Sequence, residues 1–104
     1  MLCFTLTGKV GRVRPGAPGE TVIAVTSKRL LQTGETTSEW VVCVCRGNHL
    51  RALVQRRIAV GDVVRIEGEI EPRRRVVGGL AFYDVVFVAR SFEVLTREPV
   101  ETGS

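Results

Sequence analysis

Arginine guanidinium groups and a few aromatic rings are the side chains in this 104-residue sequence best suited to bind another molecule. All but two of the 15 basic residues are arginines, the exceptions being Lys9 and Lys28. A guanidinium group binds phosphate through a planar fork of donors and also stacks on flat rings. The net charge of +4 and the isoelectric point near 9.5 therefore favour a polyanionic partner, although the same charges also suit a solvated surface.

The longest run of positive charge is Arg73-Arg74-Arg75, which precedes Val76-Val77-Gly78-Gly79. Glycine pairs favour turns, so the three arginines are predicted on a flexible hairpin loop between two strands. Three consecutive cations on such a loop favour contact with phosphate, and a solvated hairpin tip is the alternative. Lys28, Arg29 and Arg46 are weaker candidates of the same kind.

Few aromatic residues are available for stacking. Trp40 is the only tryptophan and stands near the start of a strand-like segment, so it is either a stacking platform or a core residue. Phe82 and Tyr83 are neighbours in another such segment and must point to opposite faces. Tyr83 is the better candidate for the surface, whereas Phe82, Phe87 and Phe92 are predicted in the core.

Cysteine and histidine offer little chemistry beyond packing. Cys43 and Cys45 are two apart on a predicted strand and His49 follows closely, but a zinc site needs a fourth ligand, for which only Cys3 is left. Cys43 and Cys45 are therefore predicted to be small, reduced core residues, and no metal or other cofactor is expected. The sequence has no paired-carboxylate, phosphate-loop or nucleophile motif, so the protein is predicted not to be an enzyme.

Hydrophobic periodicity predicts the strands that position these residues. Alternation of apolar and polar residues is typical of half-buried strands. Glycines within the first strand, Gly8 and Gly11, predict a bulge or a sharp bend of the kind that a small barrel needs. The five strands are predicted at residues 3–14, 21–28, 38–45, 64–71 and 80–95.

One helix is predicted between the third and fourth strands, with Asn48 as its N-cap and Gly61 at its end. Its outer face carries Arg51, Arg56 and Arg57, which are expected to face solvent. Three strands, one helix and two strands is the element order of the OB-fold, an all-β, five-stranded Greek-key barrel. The chain is therefore predicted to be one OB-fold domain at residues 1–96 with a short flexible tail at 97–104.

Four segments within about residues 4–95 resemble parts of a known protein family. They are Thr5-Leu6-Thr7-Gly8-Lys9-Val10-Gly11-Arg12, Val25-Thr26-Ser27-Lys28-Arg29, Ser38-Glu39-Trp40-Val41-Val42 and Gly61-Asp62-Val63-Val64-Arg65-Ile66-Glu67-Gly68. In this order they resemble the bacterial single-stranded DNA-binding protein family, and a weaker resemblance extends to the primosomal replication protein B type, a short relative. The resemblance implies sequence-independent binding of single-stranded DNA in replication, recombination or repair, with Trp40 stacking on a base, by a homodimer or homotetramer.

The sequence departs from this family in two respects. Of four positions that are typically aromatic, only Trp40 is aromatic here, and the others correspond to Leu30, Arg46 and Arg75. Stacking on an aromatic side chain contributes roughly 1–3 kcal/mol per base, so weaker and more salt-sensitive binding is expected. The chain also ends at Glu101-Thr102-Gly103-Ser104 without the family's acidic, apolar tip, which favours an accessory, plasmid, phage or primosomal role.

Single-stranded DNA is thus the expected partner, and two alternatives stay open. One is a replication-restart adaptor that docks proteins through a strand of mixed charge, Arg65 to Glu71, and the other is an RNA-binding OB protein. No membrane association is expected, because the apolar runs fall short of the roughly 20 residues that a spanning helix needs. Reduced cysteines without a secretory leader predict a cytoplasmic, nucleoid-associated location. The predicted nucleic-acid contacts are Trp40, Tyr83, Lys28, Arg29, Arg46, Arg73, Arg74 and Arg75.

Overall fold

Alternating strands close a barrel in the computed structural model of the chain, which describes residues 2–97 apart from the side chains of residues 28–30. The predicted all-β OB-fold, with one helix between the third and fourth strands, is confirmed. The division into a domain at 1–96 and a tail at 97–104 stays a prediction, because residues 98–104 lie outside the described part. The elements are β1 Leu2–Pro15, β2 Glu20–Leu30, β3 Thr36–Arg46, α1 Asn48–Arg57, β4 Val63–Val77 and β5 Leu80–Thr96.

β1 closes the barrel because it pairs with two different strands. Residues 2–9 pair with β4 and residues 9–15 pair with β2, both antiparallel. The register shifts between Val10 and Arg12, which places Gly11 in a bulge that bends the strand. A short parallel pairing of β3 with β5 completes the order β1-β2-β3-β5-β4. The predicted irregularity at this glycine is therefore confirmed.

Residues from one side of each strand fill the barrel interior. α1 adds Val54 and Ile58 to this core, and Phe4 meets Phe87 edge to face with ring centroids 5.2 Å apart. Phe87 and Phe92 both pack against the core, which confirms their prediction. The buried apolar cluster consists of Val10, Ile23, Val25, Cys43, Cys45, Val54, Ile58, Val64, Ile66 and Ala89.

Both ends of α1 differ from the prediction. Asn48 is already helical, and the N-cap is Gly47, whose φ of 85° suits glycine and which has no side chain to cap the helix. The helix ends at Arg57, before the predicted Gly61, because Ile58 adopts extended backbone and buries its side chain. The Gly61 N–H donates to a β1 carbonyl at 2.8 Å and so ties the following connection to the barrel.

The arginines of α1 divide into two kinds. Arg56 and Arg57 are exposed, as predicted. Arg51 is half-buried instead, because its Nε donates a hydrogen bond to the hydroxyl of the buried Thr21 at 3.4 Å.

The last two strands continue beyond the barrel as a hairpin arm, residues 71–86, in which β4 and β5 pair only with each other. The turn at its tip consists of Gly78 and Gly79, with φ of 58° and 79°. A two-residue turn that matches the strand twist needs positive φ at both positions, which glycine adopts without strain. The prediction that Arg73–Arg75 lie on a flexible loop is therefore wrong, since all three are paired within β4.

Burial predicts how the three free cysteines react. Burial raises the pKa of Cys43 to about 12 and that of Cys45 to about 11, so both are protonated and shielded at neutral pH. A thiol-exchange reagent should therefore titrate one thiol per native chain, the exposed Cys3, and three after denaturation. Cys3→Ser should abolish the native signal, and prompt reaction of a second thiol in the folded protein would contradict the buried placement.

Candidate nucleic-acid interface

The outer side of β1, β2 and β3 forms a groove. Trp40 and Val42 alternate with the core residues of β3 and so lie on the outer side. The register places Val42 beside Ala24, and Ala24 beside Arg12. The groove, called the Trp40 groove below, has a volume of about 510 Å³ and is lined by Gly11, Arg12, Arg14, Val22, Ala24, Trp40 and Val42.

The indole of Trp40 lies directly on the backbone of β1. A Cβ atom at Gly11 would lie 2.2 Å from Cη2 and 2.3 Å from Cζ3 of the indole, so only glycine leaves room for the ring. Trp40 nevertheless remains 60% exposed. The alternative that Trp40 is a core residue is therefore wrong. One side of the ring contacts β1 and the rest is open to solvent, and stacking of this ring on a base stays a prediction.

Two arginines that the sequence reading left without a role stand beside this ring. Arg12 and Arg14 are exposed on the outer side of β1 and line the groove. Within residues 2–97, no carboxylate forms an ion pair with either guanidinium. The two arginines are two residues apart in a predicted strand and next to a predicted glycine bulge. This spacing could have indicated from the sequence that both share a face.

Three of the predicted phosphate-binding arginines are instead paired with carboxylates. Arg46 joins two strands, because its Nε donates to Glu20 Oε2 at 2.8 Å and its Nη1 to Glu71 Oε2 at 2.7 Å. On the arm, a single carboxylate binds the other two arginines. The two sets of ion pairs are together called the ion-pair row below: Arg46 with Glu20 and Glu71, and Arg73 and Arg75 with Asp84.

Asp84 is the centre of this row on the arm. It accepts two hydrogen bonds from Arg73, at 2.9 and 2.8 Å, and its Oδ2 lies 3.2 Å from Nη2 of Arg75. The hydrogen bonds from Arg73, together with the charges of both arginines, lower the pKa of Asp84. The carboxylate is therefore ionised at neutral pH and holds both guanidinium groups against the arm.

The arm separates the predicted cluster of three arginines onto two faces. Arg74 lies opposite Tyr83 in the register, and strand alternation places both on the face turned away from Asp84. Tyr83 is 77% exposed there, so its predicted surface position is confirmed. Phe82, by contrast, is 48% exposed on the same face as Asp84, and its predicted core position is wrong.

The backbones of Lys28 and Arg29 pair with Ser38 and Thr37 near the far end of β2. Their side chains lie outside the described residues. Their contact with nucleic acid stays a prediction.

The strand of mixed charge that favoured an adaptor satisfies much of its charge within the chain. Arg65 is paired with Glu93, and Glu69 accepts a hydrogen bond from Arg90 at 3.1 Å. Glu67 is exposed between them. The face therefore carries no large excess of either sign.

Two negative findings concern the described part of the chain. Within residues 2–97, no three His, Cys, Asp or Glu side chains are grouped so that they could hold a metal ion. No helix in that range has the length and apolar character needed to cross a membrane.

No protein-family model matches the chain, and no curated protein sequence is significantly similar to it. Solved structures share its fold. The mitochondrial single-stranded DNA-binding protein Rim1 of S. cerevisiae has a TM-score of 0.73 at 12% identity, over 94% of this chain and 98% of that protein. The Plasmodium falciparum SSB in complex with single-stranded DNA has a TM-score of 0.72 at 13% identity, over 92% and 96%. A small single-stranded DNA-binding protein of Mycoplasma pneumoniae has a TM-score of 0.68 at 12% identity, over 96% and 99%. At these identities the likeness is one of fold, and it agrees with the OB-fold predicted from the order of the strands and the helix.

Replacing Gly11 tests the geometry of the groove without any ligand. Gly11→Ala places a methyl group where the Trp40 ring now lies, so the ring must move off β1. Since Trp40 is the only indole, the fluorescence emission of the free protein should change, with a red shift as the ring enters water. Thr5→Ala, at an exposed position of the same strand, is the matched control. A folded Gly11→Ala protein with the wild-type emission spectrum would show that Trp40 does not rest on β1.

Proposed function

We propose that the chain binds single-stranded DNA without sequence preference, and that the Trp40 groove is the centre of the binding surface. The observation that carries the proposal is the combination, in one concavity, of an open indole, an apolar floor and two arginines without ion-pair partners among the described residues. An indole stacks on any base, because every base has a π-face, and guanidinium groups follow the phosphates. The solved proteins of the same fold are described as single-stranded DNA-binding proteins, which supports this choice of ligand.

Two sets of arginines are proposed to have different roles, because one set has carboxylate partners and the other does not. Arg12 and Arg14 carry net positive charge next to Trp40, so they are proposed as the main phosphate contacts. The arginines of the ion-pair row can still donate hydrogen bonds, but their carboxylate partners weaken the field that attracts a phosphate. The main phosphate contacts are therefore expected on β1 and not on the arm.

This division predicts different salt dependences for matched double variants. Each phosphate contact on a single strand contributes about 0.7 to the slope of log affinity against log salt, because counterions are released. Arg12→Ser with Arg14→Ser should therefore flatten the slope for fluorescently labelled oligo-dT by about 1.4. Arg73→Ser with Arg75→Ser should flatten it by less, because Asp84 already offsets one of these two positive charges.

Arg56→Ser with Arg57→Ser supplies the control for net charge. These two arginines are exposed on α1 and lie away from the groove lining, so the slope should stay near that of the wild type. If the β1 pair leaves the slope unchanged while the arm pair lowers it, the arm is the main phosphate site and the assignment made here is wrong.

RNA binding and protein docking are the competing functions. Titrating the wild type with oligo-dT, oligo-U and a duplex of equal length separates them, since an OB groove does not by itself select the sugar. Preference for oligo-U would favour an RNA-binding role. Binding to none of the three would leave the adaptor as the better account.

We further propose a binding protein rather than an enzyme, acting in DNA replication, recombination or repair as a homodimer or homotetramer in the cytoplasm. Exposed apolar residues on the arm and at the start of β1, including Leu2, Val76 and Val85, support self-association, because such surfaces are usually covered by a partner. Three unpaired cysteines support a reducing compartment.

A further inference from the structure

A second concavity lies between the last turn of α1 and the end of β5, and it shares no lining residue with the Trp40 groove. Its volume of about 210 Å³ is below the roughly 300–1,000 Å³ of a typical small-molecule pocket, so it suits one or two side chains rather than a whole cofactor. This concavity, called the α1–β5 cleft below, is lined by Leu53, Arg57, Ile58, Phe92, Val94 and Arg97.

The floor of the α1–β5 cleft is apolar. Phe92 and Val94 are alternate residues of β5, so they share a face, and both are half-buried where they pack against the core. Ile58 is buried just after the end of α1, and Leu53 is half-buried one turn before that end. The outer parts of these side chains stay open to water, so a partner that covers them with an apolar side chain gains hydrophobic burial.

The two charged residues that line the cleft are both cations. Nη2 of Arg97 donates to the backbone carbonyl of Arg57 at 3.2 Å, which satisfies a carbonyl at the helix end and fixes this guanidinium beside the cleft. Its Nη1 lies 3.8 Å from Oδ2 of Asp62, an oxygen that already accepts a hydrogen bond from the Ala59 N–H. Arg57 is exposed, and no carboxylate in residues 2–97 forms an ion pair with it.

An apolar floor beside two cations complements a ligand that has an apolar side chain next to carboxylates. A guanidinium group binds a carboxylate through two parallel hydrogen bonds, which adds direction to the charge attraction. Nucleic acid fits this cleft poorly, because the ring of Phe92 packs against the core and offers no open platform for a base. An extended acidic peptide supplies both kinds of group from consecutive residues.

We propose that the α1–β5 cleft is a docking site for an extended acidic segment of a partner protein, whose apolar side chain enters the cleft while its carboxylates pair with Arg57 and Arg97. The inference goes beyond the proposed function, because it adds a protein-binding site to a DNA-binding chain. Since the two concavities share no lining residue, one chain can hold DNA in the Trp40 groove and the partner in the cleft at the same time.

The probe for this site is a fluorescently labelled peptide, Asp-Asp-Leu-Leu-Asp-Asp, titrated with the full chain and followed by anisotropy. Arg57→Glu should weaken its binding about 5- to 30-fold, because one attraction is lost and a repulsion of similar size is gained. Arg56→Glu is the matched control, since Arg56 is the exposed neighbour on α1 that does not line the cleft, and it should stay within about twofold. A peptide with serine in place of both leucines should bind at least about tenfold more weakly.

Two further measurements separate this site from the DNA-binding surface. In a ¹H–¹⁵N spectrum, the acidic peptide should shift the backbone amides of Leu53, Ile58 and Val94 and leave the indole N–H of Trp40 in place. Saturating oligo-dT should change the peptide affinity by less than about twofold at 0.15 M salt, where charges further apart than about 8 Å are largely screened. Arg57→Glu should likewise keep the wild-type affinity for oligo-dT.

Several results would overturn the docking site. They are failure of the wild type to bind the peptide, equal losses in Arg56→Glu and Arg57→Glu, no loss with the serine peptide, and displacement of the peptide by oligo-dT. The residues that follow Arg97 include Glu98, Val100 and Glu101, so the chain itself supplies a competing acidic segment. If the peptide binds only to the full chain with Val100→Ser and Glu101→Gln, the occupant is the chain's own segment, and docking of a partner is overturned.

Discussion

The close approach of Trp40 to Gly11 is the contact on which both the fold and the proposed site depend. The bulge at Gly11 bends β1, which allows one strand to pair with β4 along its first half and with β2 along its second. The missing side chain at the same residue leaves room for the indole on the outer surface. One glycine thus helps to close the barrel and to place its only tryptophan in the open, so a substitution there affects architecture and binding together.

Charge pairing, rather than charge count, decides which parts of the outer surface attract phosphate. The ion-pair row contains as many carboxylates as guanidinium groups, and a run of three arginines therefore contributes less positive potential than its sequence suggests. Arg12 and Arg14 are separated in sequence by an apolar residue and look unremarkable, yet they have no ion-pair partner within the described residues. The row also connects β2, β3 and β4, so its charges contribute to the shape of the surface as well as to its potential.

Sequence periodicity was sufficient to predict the strands, their order along the chain and the position of the helix, because alternation of apolar residues directly reflects a barrel with one buried face.

Periodicity did not predict the side-chain environments that depend on contacts between residues distant in sequence. The ion pairs of Arg46 with Glu20 and Glu71 could not be predicted without the register of β2, β3 and β4. Phe82 was misplaced because alternation shows which residues share a face, but not that the strand has left the barrel and has no core beside it. The loop predicted at Arg73–Arg75 reflects the same difficulty, since a Gly-Gly pair marks a turn but not how tightly the strands continue up to it.

The most direct test of the central claim is a two-dimensional ¹H–¹⁵N spectrum of the labelled protein during titration with oligo-dT. The single indole N–H of Trp40 gives one side-chain signal that reports on the groove alone. Binding through the Trp40 groove predicts a shift of this signal together with the backbone amides of Gly11, Arg12 and Ala24, while those of α1 stay in place. An unchanged indole signal at saturation, with shifts confined to the mixed-charge face around Arg65 and Glu93, would contradict it.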